Sequence, residues 1–227
     1  MDKQSGTLFI VPTPIGNLED MTFRAIRVLT EVDLVLAEDT RTSKKLFIHF
    51  KINTPLQSYH LHNEHDKVKY FCSLLLNGQN IALISDAGTP GISDPGFLLI
   101  REVISAGIRV ESLPGASAVI TAIVGSGLPM EKFVFEGFLP PKKGRQTRFI
   151  ALAKETRTVV LYESPHRILK TVTQLKEHLG GERKIVIARE LSKLYEEYIR
   201  GSIDECIDVL TTRKIKGEIV LIISAEK

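Results

Sequence analysis

The sequence predicts an α/β protein of two lobes, the first built on a parallel sheet covered on both faces. Short runs that are apolar at every position, such as Leu34-Val35-Leu36-Ala37 and Ile81-Ala82-Leu83-Ile84, alternate with segments whose apolar residues recur at helical spacing. Strands without polar alternation belong to parallel sheets buried on both sides. A break at Gly125-Ser126-Gly127-Leu128-Pro129 interrupts the pattern, so residues 1–124 and 125–227 are expected to form separate α/β lobes.

The first strand is Leu8-Phe9-Ile10-Val11, closed by Pro12-Thr13-Pro14-Ile15-Gly16-Asn17. Apolar residues at Leu18, Met21, Ala25, Val28 and Val32 predict a helix, with Asn17 placed to cap it and Glu19 and Asp20 at its positive end. Leu34–Ala37 is a second strand ending in Glu38-Asp39-Thr40-Arg41, with a helix following from about Ser43 to Phe50. A third strand ends near Tyr59-His60; Asn63 then caps a helix bearing Val68, Phe71, Leu74 and Leu75, stopped at Asn77-Gly78. Ile81–Ile84 is the fourth strand, leading through Ser85–Ser93 to Asp94-Pro95, which reads as a helix cap and first turn. Val110–Leu113 is the fifth, ending in Pro114-Gly115-Ala116-Ser117-Ala118. The helix after it, about Ala118 to Val124, is apolar on every face and is expected to be buried on all sides. Beyond the break, strands are predicted near Val134, Thr158–Tyr162, Lys184–Ala188, Glu196–Arg200 and Glu218–Ser224. Ser164-Pro165 opens a helix that Gly180-Gly181 closes, and Ser202 with Glu205 has the spacing of a capping box.

Composition narrows the class. With 43% hydrophobic residues a core is assured, and 25% charged residues argue against disorder. The net charge of +3 permits an anionic partner without demanding one. Cys72 and Cys206 make no disulfide framework and read as buried inert thiols in a reducing compartment. The polar start from Met1 to Gly6 has no signal-peptide pattern, and no apolar run approaches the roughly 20 residues of a membrane span. A cytoplasmic protein without a membrane role is expected.

The chemistry is expected at the carboxyl ends of the strands, where ligands of open α/β sheets bind. Those ends are tight loops rich in Pro, Gly, Ser or Asp: Pro12–Asn17, Glu38–Arg41, Ser85–Asp94, Pro114–Ala118 and Tyr162–Arg167. Glycine lets backbone approach a ligand and proline presets the loop. No phosphate-binding G-x-G-x-x-G or G-x-x-x-x-G-K-[ST] is present, so dinucleotides and nucleoside triphosphates fit poorly. A ligand with an adenosine and a positive charge fits better. Asp86 is able to accept from a ribose or an ammonium group, or simply to cap its own loop.

Seven segments then carry a resemblance. They are Phe9–Leu18, Ala37-Glu38-Asp39-Thr40-Arg41, His60–Glu64, Ser85–Gly96, Pro114–Ala118, Phe135–Pro140 and Tyr162-Glu163-Ser164-Pro165-His166-Arg167. Together and in this order they resemble the ribosomal RNA small subunit methyltransferase I family of the tetrapyrrole-methylase-like superfamily. The resemblance implies two α/β lobes, a parallel N-terminal and a mixed C-terminal sheet, and a cleft between them for S-adenosyl-L-methionine. It implies 2′-O-methylation of a cytidine ribose in the decoding region of 16S ribosomal RNA, as naked RNA or assembled subunit, by a homodimer. The superfamily's donor contacts carry over to Pro14, Asp86, Thr89, Ser117 and Ala118, and in the second lobe to Tyr162 or Glu163, and to Leu191. Longer members of the family continue past the last strand, whereas this sequence ends at Lys227, so RNA contacts from such a segment are expected to be lacking or supplied otherwise.

A ribose hydroxyl is a weak nucleophile near neutral pH, so a base or substrate orienter should help. Glu38, Asp39, Glu163 and His166 are the candidates, and the sequence does not choose among them; Glu38 beside Arg41 reads equally well as a loop ion pair. Lys142, Lys143, Arg145 and Arg148, in a stretch with Pro140, Pro141 and Gly144, are the candidate phosphate contacts, extended by Arg41, Lys44 and Lys45. A metal held by His60, His62 and His65 is less favoured than a helix start beside the cleft. Two other readings stay open: a methyltransferase of the same superfamily acting on a tetrapyrrole precursor, and a non-catalytic RNA-binding protein.

Overall fold

The computed structural model describes residues 4–225. Met1–Lys3, the start of the polar lead-in, and the last two residues lie outside the described residues. The chain divides into two compact units, 1–117 and 118–227.

The first unit alternates strand and helix: β1 (Thr7–Ile10), α1 (Phe23–Glu31), β2 (Leu34–Ala37), α2 (Thr40–Phe50), β3 (Leu56–Ser58), α3 (Glu64–Leu76), β4 (Ile81–Ile84), α4 (Phe97–Ser105) and β5 (Arg109–Ser112). Its strands are ordered β3-β2-β4-β1-β5, and every pairing is parallel. Side chains alternate across a strand, and here both faces are core. Leu34, Leu36 and Leu83 pack with Phe71, Leu75 and Leu99 on one side, and Val35, Ala82 and Ile84 pack with Val28, Leu29 and Phe47 on the other. That two-sided burial is why β2 and β4 are apolar throughout.

Two caps differ from the sequence reading. Asn17 caps a short 3-10 turn at Leu18–Asp20, and α1 begins a turn later, where the Thr22 hydroxyl accepts from the Ala25 N–H. Asp94 and Pro95 do not open α4, whose cap is Gly96. Asp94 is instead folded back toward Ser85.

The second unit contains α5 (Ala118–Ser126), β6 (Phe133–Phe138), α6 (Arg145–Ala153), β7 (Thr158–Glu163), α7 (Ile168–Leu179), β8 (Lys184–Arg189), β9 (Glu197–Ser202), α8 (Ile203–Thr212) and β10 (Ile219–Ile223). The sheet is mixed, ordered β6-β7-β10-β8-β9, with only β6 and β7 parallel. Its core gathers Phe149, Leu161, Val172, Ile187, Ile203 and Leu221. The capping box of α8 forms as expected, with Ser202 and Glu205 satisfying each other's N–H groups.

The division falls before α5 rather than at 124/125, because α5 packs on β8, β9 and β10. Tyr198 Oη donates to Thr121 O and Arg200 Nε to Ser126 O, at 3.3 and 3.2 Å. Gly125 is a contact, not a linker: a Cβ there would lie 2.3 Å from Tyr198 Oη. Nor is α5 buried all round. Val119, Ala122 and Ile123 are covered, whereas Ile120 and Val124 are 51% and 60% exposed, because this chain packs only one face of the helix. Cys72 and Cys206 are buried and free. Among the described residues no helix is long and apolar enough to cross a membrane.

Candidate active site

Parallel register brings the strand ends of the first unit level: Ile10 stands beside Leu83 and Ser112, and Ala37 beside Ile84. The loops leaving those ends are tied to one another. Thr13 and Gly88 exchange backbone hydrogen bonds of 2.9 Å, and Thr13 Oγ1 donates to Ser85 O at 3.1 Å. Thr89 Oγ1 donates to Ala116 O at 3.2 Å, joining the β4 and β5 loops. The Asp39 N–H donates to Asp86 Oδ1 at 3.1 Å, joining the β2 and β4 loops. Gly115 lies so close to Pro12 that a Cβ would sit 2.7 Å from the proline ring. Four loops are thereby fixed before any ligand arrives, which lowers the ordering cost of binding.

Pro14 and Leu18 of the β1 loop, Thr42, Lys45 and Leu46 of α2, and Asp86 line a groove of about 200 Å³. Ligand pockets commonly enclose about 300–1,000 Å³, so this groove is the size of a subsite. Its charges are the Lys45 ammonium and the Asp86 carboxylate.

The carboxyl groups here differ sharply. Asp39 caps α2 and accepts hydrogen bonds from both Nε and Nη2 of the Arg41 guanidinium, which hold it down at about 2. Glu38, half-buried, is raised above the usual carboxylate range by burial and then by neighbouring Asp86. Asp86 is also raised, by burial of its carboxyl and by Asp39, against the opposing Asp39 N–H. Asp94 is pushed up to about 6 by burial and then by Glu38, partly offset by a hydrogen bond with Ser85. The sequence reading missed Asp94 because Asp-Pro before a helix looks like a cap. His60 and His62 lie with rings 5.9 Å apart, and Asn63, at the start of α3, accepts from the His60 N–H instead of capping the helix.

In the second unit, Glu163 at the end of β7 has a side chain 1% exposed. It accepts from Arg167 Nε at 2.8 Å, Thr171 Oγ1 at 2.6 Å and the Ser164 N–H at 2.7 Å. With its oxygens engaged in this way, Glu163 ties the end of β7 to α7. Arg145 departs from its expected place among the phosphate contacts. It is 6% exposed and donates to Gln174 Oε1, Pro140 O and Thr171 Oγ1 at 2.9, 3.2 and 2.7 Å, so it opens α6 from inside the fold and presents nothing to a phosphate. Lys142 and Lys143 are exposed, and exposed Arg148 pairs loosely with Glu136 at 3.6 Å. Arg41 is exposed but bound to Asp39. His166 is exposed in the turn before α7. The Tyr162 ring packs edge-on to Phe135 at 5.0 Å, and Leu191 is buried between Glu190 and Ser192, both in the left-handed region at φ 50° and 62°. Ser117 closes the first unit and Ala118 opens α5.

Known proteins resemble this chain in sequence and in fold. Residues 7–207 match the model of the Tetrapyrrole (Corrin/Porphyrin) Methylases. The ribosomal RNA small subunit methyltransferase I of Synechocystis sp. is 51% identical over 96% of this chain and 79% of its own length. That of Pseudomonas aeruginosa is 49% identical over 97% and 79%. The chain belongs to the ribosomal RNA small subunit methyltransferase I family. Membership makes it a methyltransferase. The methylase match runs from β1 into α8, so it takes in every strand of the first unit and the second unit as far as α8, stopping before β10. The fold is shared more widely: a cobalt precorrin-4 methyltransferase superposes with a TM-score of 0.71 at 16% identity, covering 96% of this chain and 94% of that one.

Proposed function

We propose that this member of the family transfers a methyl group from S-adenosyl-L-methionine to the 2′-hydroxyl of a cytidine in the decoding region of 16S ribosomal RNA, acting as a cytoplasmic homodimer. The observation that carries the reading is the set of interlocked loops after β1, β2, β4 and β5. Their chemistry suits the donor: Asp86, an exposed residue whose carboxylate is partly desolvated at the groove, offers a partner to an ammonium or ribose group, and no phosphate-binding glycine motif competes with it. Pro14, Asp86, Thr89, Ser117 and Ala118 would hold the donor, with Tyr162 and Leu191 completing the set by resemblance. When bound, the sulfonium supplies an electrophilic methyl carbon.

The work left to the chain is alignment and proton handling. Rigid loops suit the first task. For the second, Glu38 and His166 remain of the expected candidates, because Asp39 and Glu163 are committed to Arg41 and Arg167, and Glu38 is favoured because it lies among the interlocked loops. Its raised pKa makes it a better proton acceptor than an ordinary surface carboxylate. Exposed Lys142, Lys143 and Arg148 supply sequence-independent attraction to RNA, to which Arg41 adds. The exposed Ile120–Val124 face of α5 supports self-association.

The test is transfer of labelled methyl from S-adenosyl-L-methionine to purified small ribosomal subunits, followed by nucleoside analysis. A 2′-O-methylcytidine product is expected. Donor binding without transfer to subunits or naked RNA would point to a small-molecule acceptor and overturn the reading.

A further inference from the structure

The groove between α2 and the β1 and β4 loops is larger than the donor assignments use. Sheet order shows what remains. In the order β3-β2-β4-β1-β5, Thr89 is tied to Ala116 and so belongs to the β5 flank, as does Ser117. The groove lies on the other flank, where α2 follows β2. Only Pro14 and Asp86, at the middle strands, are common to both. The α2 wall therefore lies on the opposite flank from Thr89 and Ser117.

We propose that this groove is the acceptor subsite, and that Lys45 is a positioning residue that holds a phosphodiester of the RNA next to the ribose being methylated. The inference rests on the RNA methyltransferase reading above. Lys45 is exposed and has no ion-pair partner among the described residues. Arg41, one turn earlier on the same helix face, is held by Asp39, so the two cations are not equivalent. An ammonium on a flexible stem is a point-charge phosphate binder. The other charge in the groove, Asp86, repels a phosphate and so favours it at the Lys45 end, leaving the sugar toward the strand ends. Pro14, Leu18 and Leu46 offer apolar surface to the ribose carbons, and the Thr42 hydroxyl offers a polar contact beside them.

Lys45→Ala and Lys45→Arg in the full chain, assayed on purified small ribosomal subunits over a range of salt, test this. Lys45→Ala is expected to raise the KM for subunits about tenfold with little change in kcat, and to flatten the salt dependence of RNA binding by about one contact. Lys45→Arg should restore both. Calorimetric affinity for S-adenosyl-L-methionine should match the unmodified protein in each case. An unaltered KM and salt slope in Lys45→Ala would make Lys45 an ordinary surface lysine and overturn the inference alone. Weaker donor binding with normal RNA affinity would make the groove a donor subsite and also overturn it. An unmodified protein that neither binds nor methylates the RNA would remove the parent reading, and this one with it.

Discussion

Asp86 and Asp94 are both aspartates on the loop after β4, yet their surroundings assign them different work. Asp86 is exposed at the groove and accepts the Asp39 N–H, a position from which a ligand can be met. Asp86→Ala should weaken S-adenosyl-L-methionine binding roughly 10–100-fold, the worth of a charged hydrogen bond, and abolish methylation without unfolding the chain. Calorimetry checks it, and unchanged donor affinity would sink the donor assignment. Asp94 is turned inward, its pKa raised from 3.8 to about 6 by burial and by Glu38. A carboxyl whose folded pKa is raised favours folding while protonated, and that benefit is lost as pH climbs from about 4 through 6. Above pH 6 the ionised group opposes folding. Asp94→Asn keeps a partner for Ser85 and removes the charge, so it should stabilise the protein by about 1 kcal/mol at pH 7, discounted for solvent screening. The gain should vanish below about pH 4, and thermal melts across that range measure it. Asp86 was legible in the sequence because a strand end advertises it. Asp94 was not, since its environment is made by Glu38 and Ser85, which are distant or local only through the loop's path.

Elements were legible where the signal is local. The all-apolar β2 and β4, and the Ser202/Glu205 capping box, need only neighbours in sequence to be recognised. Helix α6 was not, because Gly144 and four cations ahead of Phe149 imitate a solvated loop. What makes it a helix is long-range: Arg145 reaches Thr171 and Gln174 on α7, and Phe149 and Leu152 enter the core. The same network holds Glu163 through Thr171, so α6, α7 and the end of β7 behave as one unit. Arg145→Ala should therefore cost roughly 2–3 kcal/mol by leaving buried acceptors unpaired, with no change in the salt dependence of RNA binding. A Lys142/Lys143/Arg148 triple alanine should do the reverse, flattening the salt dependence at nearly unchanged stability. Denaturant melts and salt titrations on both variants separate the two roles, and a flattened slope in Arg145→Ala would refute the anchoring role.

At the scale of the whole molecule, the sequence pattern announced two α/β units but misplaced their boundary, because an apolar helix next to a glycine-rich segment looks like the end of one lobe. The contacts of Tyr198 and Arg200 with α5 give that helix to the second unit. This assignment leaves Ile120 and Val124, one turn apart, facing solvent in a helix with no charged residue to keep that face wet. An isologous interface requires only that one such patch meet its own copy, which is the commonest route to a dimer. If α5 is part of the proposed interface, an Ile120→Glu/Val124→Glu double variant should elute as a monomer where the unmodified chain elutes at twice its mass. Because Val119, Ala122 and Ile123 on the covered face are untouched, the variant should keep its secondary structure. Its melting temperature should lose the dependence on protein concentration that self-association confers. A double variant that remains dimeric would move the interface away from α5, and a monomeric unmodified chain would remove the dimer from the proposal.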